Sequence, residues 1–145
     1  AAHASGPPLG SMPQDNSISN SRPFVLHARM LSGDGGGPEK TILNSPRFLR
    51  QHGFDSACLF IKSADDQNSK ILTSRAASAS AEIMCVDDKG RFDRNVVKQC
   101  LRLCREHNVD IWHAHDRRST SLGLLVRRFH EMHLVTTAHL PVPLG

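Results

Sequence analysis

The stretch of sequence that decides the fold is Gly33-Asp34-Gly35-Gly36-Gly37-Pro38-Glu39-Lys40. It follows an apolar, strand-like run over residues 23–31 and leads into a helical pattern. A glycine-rich turn between a strand and a helix is suited to phosphate, because the bare backbone can approach an anion and the free amides of the next helix point at it. The loop therefore predicts a phosphate or sugar-nucleotide site, with a plain flexible connection as the alternative.

The composition limits the classes of protein to consider. A chain of 145 residues can form one domain that buries about two-thirds of its unfolded surface, and a second full domain would not fit. The net charge of +4 favours anionic ligands or surfaces. Aromatic residues make up only 5% and Tyr is absent, which argues against a base-stacking surface, so we predict no nucleic-acid partner.

The cysteines and the hydropathy pattern indicate in which cellular compartment the protein is expected. Cys58, Cys85, Cys100 and Cys104 lie in apolar runs without a C-x-x-C pair, as expected of free core thiols under reducing conditions. Cys100 and Cys104 lie one helical turn apart, but no second pair has zinc-finger spacing. No apolar run approaches the roughly 20 residues of a membrane span, and no signal-peptide core is present. We expect a cytoplasmic protein, with peripheral contact to the inner membrane as a further expectation.

The chain divides into a tail and one domain. Residues 1–22 are rich in Ala, Ser, Gly, Pro and Asn and predict a disordered tail. From residue 23 to residue 145, strand and helix patterns alternate, which predicts a parallel sheet with helices on both faces. The predicted strands are 24–28, 56–61, 82–86, 110–114 and 134–138; the predicted helices are 39–51 (bent at Pro46), 71–77 (weaker), 93–108 and 119–130, with a turn at 87–90.

Three segments converge if the sheet has the common doubly wound order 3-2-1-4-5. Ligands then bind beyond the carboxyl ends of the first and fourth strands, where the winding reverses. The glycine loop follows the first strand, His113-Ala114-His115-Asp116 ends the fourth and His139 ends the fifth. For each histidine taken alone a structural role is favoured, but the shared placement of all three leads us to predict that these histidines and Asp116 line a crevice.

Other motifs fit less well. A dinucleotide fingerprint that starts at Gly33 needs a glycine where Pro38 stands, and a Walker loop that ends in Lys40-Thr41 needs glycines at Asp34 and Glu39. His113 and His115 share one face of a strand, and Asp116 adds a carboxylate, so a metal site is an alternative there. Without a further ligand cluster in the sequence, no metal is predicted.

The chain resembles the retaining glycosyltransferases of family 4, also called group 1, and specifically their N-terminal Rossmann-like domain. Three segments in the family's order and spacing carry the resemblance: residues 32–41 after the first strand, residues 109–116, and Thr136-Thr137-Ala138-His139. Together they extend over almost all of residues 23–140. The resemblance implies a two-domain GT-B enzyme that binds acceptor mainly on this domain and donor mainly on the other.

The resemblance also implies roles for particular residues. Gly35, Gly36 and Gly37 approach the donor diphosphate and the acceptor, and Glu39 and Lys40 are counted with them as substrate-binding residues. Asp116, His113 and His115 line the acceptor side, with Asp116 predicted to be catalytic, and His139 resembles the family's active-site histidine. The donor is a nucleotide-diphosphate sugar and the acceptor a glycan or lipid-linked molecule. No cofactor or metal is implied, because backbone amides and basic groups offset the charge of the leaving diphosphate.

One departure from the family concerns the donor half. The C-terminal donor domain with its E-x7-E signature is absent from this sequence, which stops at Gly145. We therefore expect the chain to act as the N-terminal domain or a fragment of a glycosyltransferase and to be inactive alone, with the donor domain as its missing partner. The alternative is a non-catalytic Rossmann-like module that binds a phosphorylated ligand or an anionic membrane.

Overall fold

The computed structural model describes residues 22–31, 37–63, 82–90 and 93–137. Within them, the chain forms five strands and three helices. In chain order these elements are β1 (Phe24–Met30), α1 (Gly37–Gln51), β2 (Asp55–Ser63), β3 (Ile83–Asp88), α2 (Arg94–Glu106), β4 (Ile111–Ala114), α3 (Arg117–Val126) and β5 (His133–Thr136). The predicted helix 71–77 and residues 1–21 of the predicted tail lie outside the described residues.

The strands form one parallel sheet in the order β3-β2-β1-β4-β5. This order confirms the prediction of a Rossmann-like, doubly wound sheet, in which neighbouring parallel strands are joined by crossover connections. β1 and β4 are the central pair at which the order reverses. Their carboxyl ends are therefore the edge of the sheet where ligands of such folds bind.

The two faces of the sheet bury different sets of side chains. The face that we call the α2–α3 face carries the larger core, which includes Leu26, Leu59 and Trp112 together with buried residues of α2 and α3. The opposite face, which we call the α1 face, carries a smaller cluster in which Cys58 and Phe60 of β2 pack against Ile42 and Leu43 of α1. Because side chains alternate along a strand, even and odd positions of β1 and β4 belong to different environments.

Pro46 lies inside α1 without ending it. Proline has no amide hydrogen, so the carbonyl of Ile42, four residues earlier, loses its usual partner within the helix. Cys58 lies 3.5 Å away and donates its thiol to that carbonyl. The buried thiol of β2 thus satisfies part of the defect that the proline introduces, which explains why a helix with an internal proline can pack at this place.

Several predicted boundaries differ from the structure. The turn predicted at 87–90 is wrong in its first half, since β3 continues through Asp87 and Asp88 and the chain turns at Gly90, which has a φ of 132°. β3 also begins at Ile83 rather than at residue 82. Strand pairing with β2 extends to Asp88 and overrides the turn preference of the aspartates.

The spacing of Val97, Cys100, Leu101 and Cys104 predicts a buried stripe on the helix over 93–108, and the structure confirms it for Cys100 and Cys104. The buried positions of α2 are Val96, Cys100 and Cys104, whereas Val97 is only partly buried. Asp93 caps the helix, and its side chain accepts a hydrogen bond from the amide of Asn95 at 2.9 Å. The cap therefore fixes the start of α2 and with it the side of the helix that faces the sheet.

The cysteines follow the prediction of core thiols with one exception. Cys58, Cys100 and Cys104 are buried, and burial raises the pKa of each thiol to about 12, so each stays protonated. Cys85 is exposed on β3, which corrects its predicted place in the core. Protonated thiols are poor metal ligands, so this structure gives no support for metal binding by Cys100 and Cys104.

None of the helices in the described part of the chain is both long enough and apolar enough to span a bilayer.

Candidate functional site

The candidate site lies at the carboxyl ends of β1 and β4. The two strands are parallel neighbours, with His27 opposite His113 and Ala28 opposite Ala114. The helix that follows β1 packs on one face of the sheet, and the helix that follows β4 packs on the other. The winding reverses between these strands, and the resulting crevice is the position at which open α/β sheets bind ligands.

Three histidines meet on the α1 face at this point. His27 comes from β1, His113 from β4, and His115 directly follows β4. The Nδ1 atom of His27 lies 3.2 Å from Nε2 of His115, and the ring centroids of His113 and His115 are 4.1 Å apart. One nitrogen from each ring can be chosen so that all three lie within 4.8 Å of one another. The rings therefore form a compact cluster of nitrogen donors and acceptors.

His27 is the buried member of the cluster. Only 4% of its surface is exposed. Burial, and secondarily the positive charge that His113 can carry, lowers the pKa of His27 from 6.5 to about 4, so this ring is neutral at neutral pH. Its Nε2 atom is buried without a hydrogen-bond partner among the described residues. An unpaired polar atom in a buried position calls for an explanation, and a bound ligand is one of the known explanations.

The end of β5 contacts the cluster through Thr137. Its Oγ1 atom lies 2.6 Å from Nε2 of His113, and its amide donates to the carbonyl of Ala114 at 2.9 Å. The backbone contact continues the pairing of β4 with β5 by one residue. Thr137 is therefore held in place and in turn restricts the orientation of the His113 ring.

Asp116 joins the end of β1 to the start of α3. Its Oδ1 accepts from the amide of Ser119 at 2.8 Å, and its Oδ2 accepts from the amide of Met30 at 2.6 Å. The hydroxyl of Ser119 faces the amide of Asp116 at 3.2 Å, which completes a capping box. Both carboxylate oxygens thus accept backbone amides, and the side chain fixes the wall of the crevice between the two strands.

A partly buried ion pair also fixes α3. Arg118 donates through Nε to Oδ2 of Asp88 at 2.7 Å and through Nη2 to Oδ1 at 2.9 Å. Its Nη2 also donates to the carbonyl of Gly90 at 2.9 Å. The hydrogen bonds from Arg118 to the carboxylate hold the pKa of Asp88 below its ordinary value. Because the guanidinium is bound to Asp88 at the end of β3, Arg118 ties α3 to the sheet.

The structure brings together part of the predicted site. His113, His115 and Asp116 lie at the predicted edge, at the end of β4 and the start of α3. Gly37 is the first residue of α1, and Glu39 and Lys40 belong to its first turn, with side chains outside the description. Gly35, Gly36 and His139 lie outside the described residues, so their contacts stay predictions.

His27 and Thr137 are the residues at this site that sequence reasoning missed. The sequence does contain an indication that His27 is unusual, because it is the one polar residue within the apolar run Phe24-Val25-Leu26-His27-Ala28. A polar side chain in a buried strand is an informative exception to the burial pattern. Its proximity to His115 depends on the pairing of β1 with β4, 88 residues apart, which local patterns do not specify.

A cleft of about 960 Å³ lies at the opposite, amino-terminal edge of the sheet. Its lining includes Pro23, Ile111 and His133. Ligands of open α/β sheets bind at the carboxyl edge, and the polar groups described above converge there as well. We therefore place the candidate site at the histidine cluster rather than in this cleft.

Comparison with known proteins identifies the fold. No protein-family model matches the chain, and no curated protein sequence does either. Among similar solved structures are a glycosyltransferase from Rickettsia africae (TM-score 0.58, 15% identity, 83% of this chain and 32% of that chain) and MurG of Acinetobacter baumannii (0.53, 15%, 80% and 35%). A third is HepE of Anabaena in complex with UDP (0.51, 13%, 78% and 28%).

At sequence identities of 13 to 15%, these similarities establish a shared fold. The chain has the Rossmann-like fold of a portion of each of these structures, and it spans roughly a third of the length of each.

Proposed function

We propose that this chain is the N-terminal, acceptor-side domain of a retaining glycosyltransferase, which moves a sugar from a nucleotide-diphosphate sugar to a glycan or lipid-linked acceptor. The observation that carries the proposal is the crevice at the carboxyl ends of β1 and β4, where α1 begins at Gly37 and where Asp116 and the histidines lie. The similarity of the fold to three glycosyltransferases, one of them in complex with UDP, supports the same interpretation. The family 4 assignment itself rests on the sequence motifs.

The start of α1 offers the anion-binding part of this proposed site. α1 begins at Gly37 and has Pro38 in its first turn, where a proline leaves no necessary amide unsatisfied. Free amides and the positive end of the helix dipole attract the diphosphate of a donor. In the proposal, residues 35–37 contact the diphosphate, and Glu39 and Lys40 contribute the neighbouring polar contacts.

Asp116 has a positioning role in the proposal. Both of its oxygens accept backbone amides, at 2.8 Å from Ser119 and at 2.6 Å from Met30. A carboxylate used in this way holds β1 and α3 at a fixed separation, and that separation sets the width of the acceptor crevice. Proton removal from the acceptor hydroxyl is then left to the leaving diphosphate, as the retaining chemistry of the resembled family implies.

His139 is the residue that we propose next to the transferred sugar. Thr137, two positions earlier, lies 2.6 Å from His113. This contact shows that β5 leads the chain out of the sheet at the histidine cluster, which supports placing His139 at the same crevice. In the reaction, the bond between the anomeric carbon and the diphosphate oxygen breaks, and a bond to the acceptor oxygen forms on the same face of the sugar.

The test uses the longest gene product that contains this chain. We expect its sequence to include a second Rossmann-like domain with E-x7-E, and we expect its purified form to transfer sugar from a panel of radiolabelled nucleotide sugars. Loss of one stabilising group at a transition state costs about a hundredfold or more in rate, and we expect that loss for His139→Ala. His52→Ala, in the exposed turn after α1, is the matched control and keeps the wild-type rate.

The same assay separates positioning from proton transfer at Asp116. Asp116→Ala is expected to raise the KM for the acceptor more than it lowers kcat, whereas a proton acceptor would affect mainly kcat. Ser119→Ala removes the reciprocal half of the capping box but keeps the carboxylate, so it controls for helix stability. Absence of a donor domain, or full turnover in His139→Ala, would contradict the proposed function.

A further inference from the structure

The histidine cluster has the composition and spacing of a metal site. In tetrahedral zinc sites the Zn–N distance is about 2.0–2.1 Å, which places two ligating nitrogens about 3.3 Å apart. The distance between Nδ1 of His27 and Nε2 of His115 is 3.2 Å. All three histidines offer a nitrogen within 4.8 Å of the others, so the third ring has to move by no more than about 1.5 Å to reach the tetrahedral spacing.

The burial of His27 supports a ligand at this place. The side chain is 4% exposed, so its Nδ1, the atom that lies 3.2 Å from His115, is shielded from bulk water. The three ring centroids lie 4.1 to 5.4 Å apart, which brings the rings close enough to share one ion. A metal ion binds imidazoles in their neutral form and uses a lone pair of each ring, so it turns a crowded group of rings into a set of ligands.

The contacts around the three histidines resemble those that hold and orient the ligands in known metal sites. β1 and β4 pair in a fixed register, which holds His27 beside His113. Thr137 lies 2.6 Å from Nε2 of His113, in the position of the outer partner that usually orients a ligating ring. Among the described residues, these histidines are the single group of three or more potential ligands at such a spacing. Three protein ligands leave a fourth tetrahedral position open to water or to an oxygen of a substrate.

We propose that His27, His113 and His115 bind one divalent transition-metal ion of borderline softness, such as Zn²⁺, with Co²⁺ and Ni²⁺ as substitutes. Imidazole nitrogens suit these ions, whereas Mg²⁺ and Ca²⁺ prefer oxygen. The site lies in the same crevice as the proposed transferase site but does not rest on that function. Its role is to fix the ends of β1 and β4 and to present an open coordination position to the crevice.

The test measures metal binding on the intact 145-residue chain, free of any activity assay. The protein is stripped of metal with a chelator, dialysed and titrated with Co²⁺ while the visible absorption of the ion is recorded, followed by displacement with Zn²⁺. We expect one ion per chain and absorption typical of a four-coordinate site. Loss of an outer partner already costs 10- to 100-fold in metal affinity, so His115→Gln is expected to lower the affinity by about 100-fold or more.

Two matched controls exclude other sources of metal binding. His52→Gln removes an exposed histidine of the turn after α1, and Cys85→Ser removes the exposed thiol of β3. Both variants are expected to bind Co²⁺ with wild-type affinity. His27→Gln is tested as well, and because His27 is buried, its folding is first checked by circular dichroism.

A measurement on the unmodified protein covers the case in which His27→Gln does not fold. Nitrogen NMR of the imidazole rings with and without Zn²⁺ is expected to show large shifts for His27, His113 and His115 and none for His52. The proposal is overturned if the chain binds no Co²⁺ at micromolar concentrations, if His115→Gln binds as tightly as the wild type, or if other histidines shift instead.

Discussion

The two faces of the central strand pair place different chemistry on the same backbone. On the α2–α3 face, Trp112 and Ala114 of β4 are fully buried under α3. On the α1 face, the intervening His113 joins a row that runs across the sheet through register pairs: Ile83, Cys58, His27, His113 and Val135. The row begins with side chains packed near α1 and ends with Val135, which is 45% exposed.

This difference separates stability from function. The α2–α3 face uses apolar burial on every strand and supplies the larger core. The cluster of buried apolar side chains on the α1 face lies where α1 packs on β2, and at the switch point this face carries titratable rings. Burial of unpaired polar groups lowers stability, so the histidine half of this face is expected to depend on the larger core for its folding. The predictions below test that division.

The largest effect is expected at Trp112. Its side chain is fully buried, and its Nε1 donates to the carbonyl of Ser119 at 3.0 Å. Truncation of a buried Trp removes transfer free energy and leaves a cavity, so Trp112→Ala is expected to lower the free energy of unfolding by about 4 kcal/mol. Urea denaturation measures this loss.

Val135→Ala is the control from the far end of the row, and as an exposed substitution it is expected to change stability by no more than about 0.5 kcal/mol. Similar losses in both variants would refute the division between the two faces.

The next effect is a loss of stability in acid that originates at His27. The pKa of His27 is about 4 in the folded chain and 6.5 otherwise, so the unfolded chain binds the proton more tightly. Stability from this group is complete above pH 6.5 and is lost as the pH falls from 6.5 to about 4. A pKa unit corresponds to about 1.4 kcal/mol, so a loss of about 2 to 3 kcal/mol is expected over this window.

The contribution of His27 is isolated by comparing wild-type chain and His27→Gln with chelator present. The other titratable side chains on neighbouring positions are His113, His115, Cys58 and Asp116, and they remain in both proteins. The difference in unfolding free energy between pH 7 and pH 4.5 is expected to be smaller in the variant. Equal acid sensitivity would show that His27 is not the titrating group.

A third effect tests the close packing of α3 on the sheet. A Cβ atom added at Gly123 would lie 2.7 Å from two atoms of the Trp112 ring and 2.9 Å from a methyl of Leu134. Since neither side chain can withdraw from a filled core without cost, Gly123→Ala is expected to destabilise the chain by about 2 kcal/mol. Ser121→Ala, on the exposed side of the same helix, is the control. A stabilised Gly123→Ala would mean that helix propensity outweighs the clash.

The sequence was sufficient for the architecture and for only part of the site. Alternating strand and helix patterns predict the sheet order, because each crossover between neighbouring parallel strands has few allowed geometries. The motif His113-Ala114-His115-Asp116 was recognisable from its position at the end of a strand. By contrast, the contact of His27 with His115 arises from pairing between β1 and β4, and the partly buried state of Val97 depends on the angle at which α2 meets the sheet. Such contacts are set by tertiary packing, which local patterns do not specify.

The smallest effect distinguishes the histidine half of the α1 face from an ordinary polar surface. Thr137→Val keeps the shape of the side chain but removes the 2.6 Å contact with Nε2 of His113. A single hydrogen bond contributes about 1 kcal/mol, so the loss of stability is expected to stay near that value. If Thr137 orients a ligating ring, the same substitution lowers Co²⁺ affinity by about tenfold, as loss of an outer partner does in metal sites. Thr136→Val, at the neighbouring exposed position of β5, is expected to leave Co²⁺ affinity unchanged, and an equal drop in affinity for both variants would mean that Thr137 has no specific role in orienting His113.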